Sequence, residues 1–167
     1  MGGVMRSILV ALLSLVFCQA ALAQNSAKID WYGVYTNKDS KEISDPTSPT
    51  GKRFITTPIR PASDSLDIPA DDKTRFGFSY TVNGREGGRV TVKHVYRFPP
   101  PGMPDAQSGS MRTGYERTRE NNIGESVLIG WSFDGAPPER IVFGEWSMEV
   151  WQGNRIIAQR KFNVYKP

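Results

Sequence analysis

The sequence predicts an all-β protein, an antiparallel β-sandwich of about seven or eight strands. Short segments alternate apolar and polar residues with a period of two, and glycine- and proline-rich turns separate them. After residue 23, no segment sustains the 3.6-residue apolar period of a helix. Short alternating strands at this spacing are typical of two antiparallel sheets that enclose one core.

The first 23 residues predict a cleavable signal peptide ahead of that domain. Arg6 supplies a positive charge, Ile8–Cys18 is an apolar run interrupted only by Ser14, and Ala21–Ala23 is a small-x-small cleavage site. The apolar run has 11 residues, whereas a helix that spans the bilayer needs about 20. We therefore expect one domain over residues 24–167, periplasmic or secreted, with no stable membrane anchor after cleavage.

Cysteine usage and charge limit the chemistry of the mature domain. Cys18 is the only cysteine and leaves with the signal, and the bulky Phe17 before it argues against lipidation. The mature domain therefore has no disulfide and depends on packing and sheet hydrogen bonds. Without Arg6 the chain has 20 basic and 17 acidic residues. Such a small surplus indicates solubility more than binding to nucleic acid.

The first half of the domain contains a predicted hairpin and a poorly patterned stretch. Ile29–Asn37 is a predicted strand with apolar residues on both faces, and Arg75–Asn83 has the clearest alternation of the chain. A glycine-rich turn leads from it into Arg89–Phe98, which predicts a hairpin. The stretch 38–73 fits a sheet least well. Within it, Arg53–Ile59 is predicted as an edge strand that a proline closes.

The second half consists of a long loop and four further predicted strands. Three successive prolines end the preceding strand, so Pro99–Gly109 is predicted as a loop. Strands are predicted at Met111–Arg119 and Val127–Phe133. Gly144–Gln152 and Arg155–Tyr165 flank a Gly-Asn turn and predict a second hairpin.

Three blocks of the sequence form a recognisable set in this order: Gly33–Tyr35, Ile68–Phe78, and Gly144–Val150 followed by Ile157–Val164. Together they resemble the signature of a bacterial domain-of-unknown-function family of small secreted proteins. The resemblance covers most of residues 24–167, and its Arg-Phe-Gly-Phe block is the most specific part. It implies an immunoglobulin-like sandwich of unknown activity and carries no catalytic residue over.

The single histidine and the acidic residues give little support to a metal or catalytic site. His94 lies on the apolar parity of its strand, which predicts a half-buried sheet histidine. A soft copper site with Met103 and Met111 is the alternative. Four aspartates between residues 64 and 72 lack the spacing of a calcium loop and predict a solvated loop. We therefore predict no cofactor, no metal and no catalytic residue.

A row of cations is the first candidate for a binding surface. Arg89, Lys93 and Arg97 are predicted to project from the outer face of one strand, where they offer contacts to an anionic polymer or to the acidic face of a protein. Glu116 and Glu120 on the next strand are candidates to neutralise them. Three arginines near those glutamates are candidates to extend the row: Arg112, Arg117 and Arg119.

Two tryptophans and one loop complete the list of binding candidates. Trp31 and Trp151 lie off the core parity of their strands. They are predicted either to contact a sugar or partner or to lie buried under the stretch 38–73. The Pro99–Gly109 loop, with Met103, is the preferred site of recognition because the end loops of a sandwich commonly carry it.

The sequence as a whole predicts an exported, non-enzymatic binding or interaction module of the bacterial cell envelope. Its expected partner is an envelope protein or an anionic polymer and not nucleic acid, and its oligomeric state is open. One alternative is an envelope hydrolase whose two carboxylates meet across a cleft. The other is a purely structural envelope protein.

Overall fold

The computed structural model describes residues 25–167, with the side chains of residues 56–58 left aside. The predicted signal peptide and Cys18 lie outside the described residues. Regular structure within 25–167 is almost entirely β, with 11 strands and one short 3-10 turn at Pro138–Arg140. Across the same residues, no helix has the length and apolar character needed to cross a membrane.

The strands include eight long ones, as the alternation predicts, and three of only two or three residues. In chain order they are β1 (Ala27–Ser44), β2 (Lys52–Pro61), β3 (Asp67–Pro69), β4 (Arg75–Val82), β5 (Arg89–Arg97), β6 (Met103–Pro104), β7 (Met111–Arg112), β8 (Gly114–Asn122), β9 (Ser126–Ser132), β10 (Gly144–Gln152) and β11 (Arg155–Tyr165).

Two sheets form the layers of the sandwich. One has the strand order β2-β1-β4-β9 and the other β3-β11-β10-β5-β8, while β6 and β7 pair by themselves. The pairings are antiparallel except for β3, which lies parallel to β11. Strands β9 and β8 therefore end their respective sheets with one side of each backbone unpaired within the fold.

Aromatic side chains from both sheets fill the space between the layers. Phe76 of β4 contacts Trp146 of β10 and Phe162 of β11 edge-on, with ring centroids 5.5 and 5.4 Å apart. All three side chains are fully buried, and the Trp146 indole N–H donates to the Val142 carbonyl at 2.8 Å. Each such side chain contributes about 1.5–3 kcal/mol by leaving water. The predicted all-β sandwich is therefore confirmed.

The stretch 38–73 departs from its prediction. β1 continues as far as Ser44, and β2 passes through Pro58 to Pro61 instead of ending there. β2 is an edge strand, and sheet edges tolerate proline because one side of the backbone there needs no partner. Residues 35–61 thus form a long hairpin, which we call the arm.

The arm begins at a glycine and ends against the opposite side of the sandwich. Gly33 has a φ of +117°, and a Cβ there would lie 2.2 Å from the Ser63 carbonyl oxygen, so only glycine allows this bend. At the tip, the Tyr115 hydroxyl donates to the Asp45 carboxylate at 3.1 Å. The Ala106 N–H also donates to the Pro49 carbonyl at 2.7 Å. The arm therefore crosses from the β1 side of the sandwich to β8.

Candidate functional site

The predicted outer row of cations is present on β5, and each cation has a carboxylate partner. Arg89 Nη1 lies 3.0 Å from Glu120 Oε1, Lys93 Nζ lies 3.1 Å from Glu116 Oε2, and Arg97 Nε lies 2.8 Å from Glu149 Oε1. The two glutamates expected to neutralise this row do so for two of its members. Glu149, which the sequence analysis did not consider, neutralises the third.

Glu149 connects the outer row to Trp151. The carboxylate of Glu149 is buried and accepts bonds from Arg97, from the Trp151 indole N–H at 2.7 Å and from the Ser147 hydroxyl at 3.2 Å. Burial alone would raise the pKa of Glu149, but the bonds from Arg97 and Trp151 outweigh it and hold the pKa below its usual value. Trp151 pairs across strands with Lys93, so the structure brings Lys93, Arg97 and Trp151 together on one face.

The other predicted binding residues lie elsewhere. Trp31 is half-buried on β1, in the other sheet, with its ring centroid 5.9 Å from that of Tyr35. Met103 is 0% exposed and belongs to the hydrophobic core. The prediction that Met103 contacts a ligand is therefore wrong, because an intact fold leaves its thioether no access to one.

The Pro99–Gly109 loop is more ordered than its composition predicts. Its β6 residues pair with β7, and the Asp105 carboxylate accepts N–H bonds from Gln107 and Ser108 at 3.0 and 2.9 Å. These backbone N–H bonds lower the pKa of Asp105 to about 2. The loop therefore presents few unsatisfied polar groups to a partner.

His94 is buried in a hydrogen-bonded group between the sheets. Its Nε2 lies 2.7 Å from the Tyr80 hydroxyl, which accepts a bond from the Asn121 amide at 2.7 Å. The hydroxyl proton of Tyr80 is therefore free to bond Nε2. Burial, followed by the charges of Arg119 and Arg117, lowers the pKa of His94 to about 3, so the imidazole is neutral at pH 7. A sheet histidine was predicted, and the structure buries it completely.

The candidate metal sites are not assembled among residues 25–167. There, no group of three or more His, Cys, Asp or Glu side chains is arranged to hold an ion. Tyr80 occupies Nε2 of His94, and Met111 lies exposed while His94 is fully buried, so these side chains do not share an accessible site. Asp71 caps a turn instead, where its carboxylate accepts the Lys73 N–H at 2.8 Å.

Two of the arginines expected in the outer row face the opposite way. Arg117 and Arg119 alternate with Glu116 and Glu120 along β8, so they share the inner face with Tyr115. In the register with β5, Arg117 lies opposite His94 and Arg119 opposite Val92, both of which point inward. The prediction that they extend the outer row is wrong. Apart from Tyr115, both sets of alternating residues on β8 are largely polar, so the pattern does not show which set faces inward.

Arg117 and Arg119 line a cleft of about 550 Å³ between the arm and the free edges of β8 and β9. Its size lies within the range of small-molecule sites. Tyr35 fixes one wall, because its ring packs on Gly130 of β9, where a Cβ would lie 3.0 Å from the Tyr35 hydroxyl. Phe54 and Ile55 of the arm also line the cleft. Sequence reasoning missed this site because the arm that forms it was not predicted.

The charges that line the cleft are unbalanced. Lys52 pairs with Glu42 at 2.8 Å and Arg53 with Asp45 at 3.7 Å, but these partners lie outside the lining. Among residues 25–167, no carboxylate lies within 4 Å of Arg117 or Arg119, and the buried Nε of each has no hydrogen-bond partner. Burial, and to a lesser extent the neighbouring Arg117, lowers the pKa of Arg119. Two half-buried cations are thus held side by side without a carboxylate in direct contact, and the Asp45 carboxylate attracts Arg117 only at longer range.

Only one carboxylate, that of Glu125, lines the cleft in the part of the chain that the structure describes. The hydrolase alternative requires two carboxylates that face each other across a cleft. The cleft therefore offers tyrosine hydroxyls, guanidinium groups, this one carboxylate and apolar side chains.

The two stacked sheets, the eight long strands and the aromatic core define an immunoglobulin-like β-sandwich. The crystal structure of an immunoglobulin-like protein from Pseudomonas aeruginosa is similar, with a TM-score of 0.60 and 23% identity over 86% of this chain and 99% of that chain. At this identity the likeness shows the fold alone.

Residues 23–164 match the family described as Domain of unknown function (DUF3859), and the chain belongs to that family. The resemblance found in the sequence blocks is thereby confirmed. No curated protein matches the chain.

Proposed function

We propose that this chain is an exported, non-enzymatic binding module of the bacterial cell envelope and that it holds its ligand in the cleft between the arm and strands β8 and β9. The observation that carries the proposal is the pair Arg117 and Arg119, which line a ligand-sized cleft without a carboxylate partner. A fold that keeps half-buried charges unpaired loses stability, and such a loss is typical of functional sites.

The predicted signal peptide supports the exported location. Export predicts that cleavage follows Ala23 and that the mature protein begins at Gln24. Intact-mass measurement of the protein from the envelope fraction of bacteria that express the full chain tests this point. A protein that keeps Met1 and stays in the cytoplasm would contradict it.

The cleft is a better candidate than the outer face for the anionic or protein partner predicted from the sequence. A polyanion on the outer face would have to displace the carboxylates that already pair with Arg89, Lys93 and Arg97. Charges on an exposed face exchange partners with little net gain in free energy. In the cleft, an incoming anion replaces no carboxylate of the protein.

Blocking the cleft tests the proposal. Ile55 is 49% exposed on the arm and lines the cleft, so Ile55→Trp fills the space while sparing the core. The matched control is Ile156→Trp, because Ile156 is 39% exposed on β11 and lies outside the cleft. We expect wild-type protein and Ile156→Trp, purified from envelope extract, to carry a bound molecule in native mass spectra and Ile55→Trp to lose it. Equal retention by Ile55→Trp would contradict the proposal.

A further inference from the structure

We infer that the ligand of the cleft is an amphipathic organic anion with one carboxylate or phosphate head group, held by Arg117 and Arg119, and an apolar body that contacts the arm. This inference rests on the proposed function, because it assigns a ligand class to the same cleft. Neither the fold nor the family membership indicates a ligand.

The charge of the head group follows from the two arginines. Burial, and after it the positive charge of Arg117, lowers the pKa of Arg119, so the two neighbouring guanidinium groups destabilise each other. Arg53 adds to this repulsion from the arm side. An oxyanion beside the pair would relieve the repulsion and accept hydrogen bonds. Guanidinium groups match the planar oxygens of a carboxylate or phosphate by donating two parallel bonds.

The number of unpaired cations limits the ligand to one head group. Of the four cations that line the cleft, Lys52 and Arg53 already pair with carboxylates, which leaves Arg117 and Arg119. A polyanion needs a longer track of cations than two adjacent side chains provide. The volume of about 550 Å³ also fits a small molecule better than a polymer chain.

The apolar body follows from the other walls of the cleft. Phe54, Ile55 and Ile59 line it from the arm, and Val127 and Leu128 line it from β9. All five side chains are exposed or half-buried, so they keep apolar surface in contact with water. Covering such surface removes it from water and stabilises a complex. The two cations without a carboxylate in contact occupy the β8 wall, and the apolar residues line the arm and β9 walls, an arrangement that suits an amphipathic molecule.

Four small molecules test the charged head group and the apolar body separately. They are octanoate, octyl phosphate, octanol and acetate. Isothermal titration calorimetry on protein from cells that express the full chain measures each dissociation constant. We expect octanoate or octyl phosphate to bind at least about tenfold more tightly than octanol, which lacks the charge, and acetate, which lacks the chain. The stronger of the two anions identifies the head group.

Paired variants locate the binding. We expect the double variant Arg117→Gln/Arg119→Gln to weaken binding of the preferred anion at least about tenfold. The double variant Arg89→Gln/Lys93→Gln removes the same charge from the outer face and should leave it unchanged. Ile55→Trp, which keeps both arginines, should also abolish binding and provides a second test if the arginine variant fails to fold.

Three results would overturn the inference. They are no binding of either anion, octanol binding as tightly as the anions, and equal loss of binding in the inner and outer double variants. The proposed function has its own test, because native mass spectra compare wild-type protein with Ile55→Trp without assuming a ligand class. If wild-type protein carries a neutral molecule that Ile55→Trp loses, the inferred anionic ligand class is refuted, and the cleft is supported as the binding site.

Discussion

The two faces of strand β8 differ in how their charged side chains are paired. On the outer face, Glu116 and Glu120 pair with cations of β5 at about the distance of a hydrogen bond. On the inner face, Arg117 and Arg119 have no carboxylate within 4 Å among the described residues. The outer cations thus have carboxylates in direct contact, whereas the nearest acid shown to act on the inner pair, Asp45, attracts Arg117 without forming an ion pair with it.

The two faces also differ in what their charges contribute to stability. Arg89 and Glu120 have side chains 72% and 52% exposed, and a pair that exposed contributes about 0–1 kcal/mol. Arg117 and Arg119 are half-buried, so part of their hydration is lost without a compensating anion. Substitutions that remove charge should therefore change stability in opposite directions on the two faces.

The largest expected effect is a loss of stability at acid pH. It is caused by protonation of His94, which lies behind the inner face of β8. The folded pKa of about 3 lies below the unfolded value of 6.5, so the unfolded state binds the proton more readily. Stability from neutral His94 is present above pH 6.5 and is lost as the pH falls toward 3. Between pH 7 and 4.5 we expect a loss of about 2–3 kcal/mol from this group.

Urea unfolding of wild-type protein and His94→Gln at both pH values isolates this contribution. Glutamine can still accept the Tyr80 hydroxyl proton but does not titrate. The wild type should lose about 2–3 kcal/mol more than the variant between the two pH values. The same pH dependence in both proteins would mean that the inner face does not disfavour a further positive charge.

The next effect concerns Glu149, the one buried acid of the outer face. Glu149→Gln removes a carboxylate that accepts bonds from Arg97, Ser147 and Trp151. We expect a loss of about 2 kcal/mol in unfolding free energy at pH 7, because hydrogen bonds to a charged group are the stronger ones. Glu116→Gln on the same face is exposed and should cost far less, and equal losses in the two variants would contradict this account.

Removing an inner cation should have a smaller effect of the opposite sign. Arg119→Met keeps an unbranched apolar stem in place of the aliphatic part of the arginine and removes a half-buried charge that has no carboxylate in contact. We expect the variant to be more stable than wild type by about 1 kcal/mol in urea unfolding. A destabilisation as large as that of Glu149→Gln would show that Arg119 has a structural partner and would end the contrast between the faces.

The smallest effect is expected for the exposed outer pairs. Arg89→Gln and Lys93→Gln should each change the unfolding free energy by less than about 0.5 kcal/mol, since water screens both pairs. The change should shrink further at high salt. A thermal melt at two ionic strengths measures it, and a loss above 1 kcal/mol in either variant would count against treating the outer row as a solvated surface.

The sequence predicts one of these faces and misses the other for a physical reason. Strands β4, β5, β10 and β11 alternate apolar with polar residues, so their inward face and their boundaries follow from the pattern. On β8 both sets of alternating residues are polar. Its inner arginines, Arg117 and Arg119, face a cleft while Tyr115 and Asn121 on the same face are buried, and nothing in the local pattern indicates a cleft.

The arm is the second feature that local pattern does not reveal. The stretch 38–44 contains mostly polar residues, because both of its faces are largely exposed. Its strand conformation comes from pairing with β2 and from contacts of its tip with distant loops. The fold class and core were therefore predictable from residue patterns, whereas the cleft depends on contacts between segments far apart in sequence.

The most direct test of the central claim is an NMR titration that observes the arginine side chains. Octanoate or octyl phosphate, whichever binds more tightly, is added to ¹⁵N-labelled protein, and the Nε–H resonances of Arg117, Arg119 and Arg97 are followed. The account predicts that Arg117 and Arg119 shift together and saturate, while Arg97, already bonded to Glu149, stays in place. Shifts at Arg97 with none at Arg117 and Arg119 would contradict it.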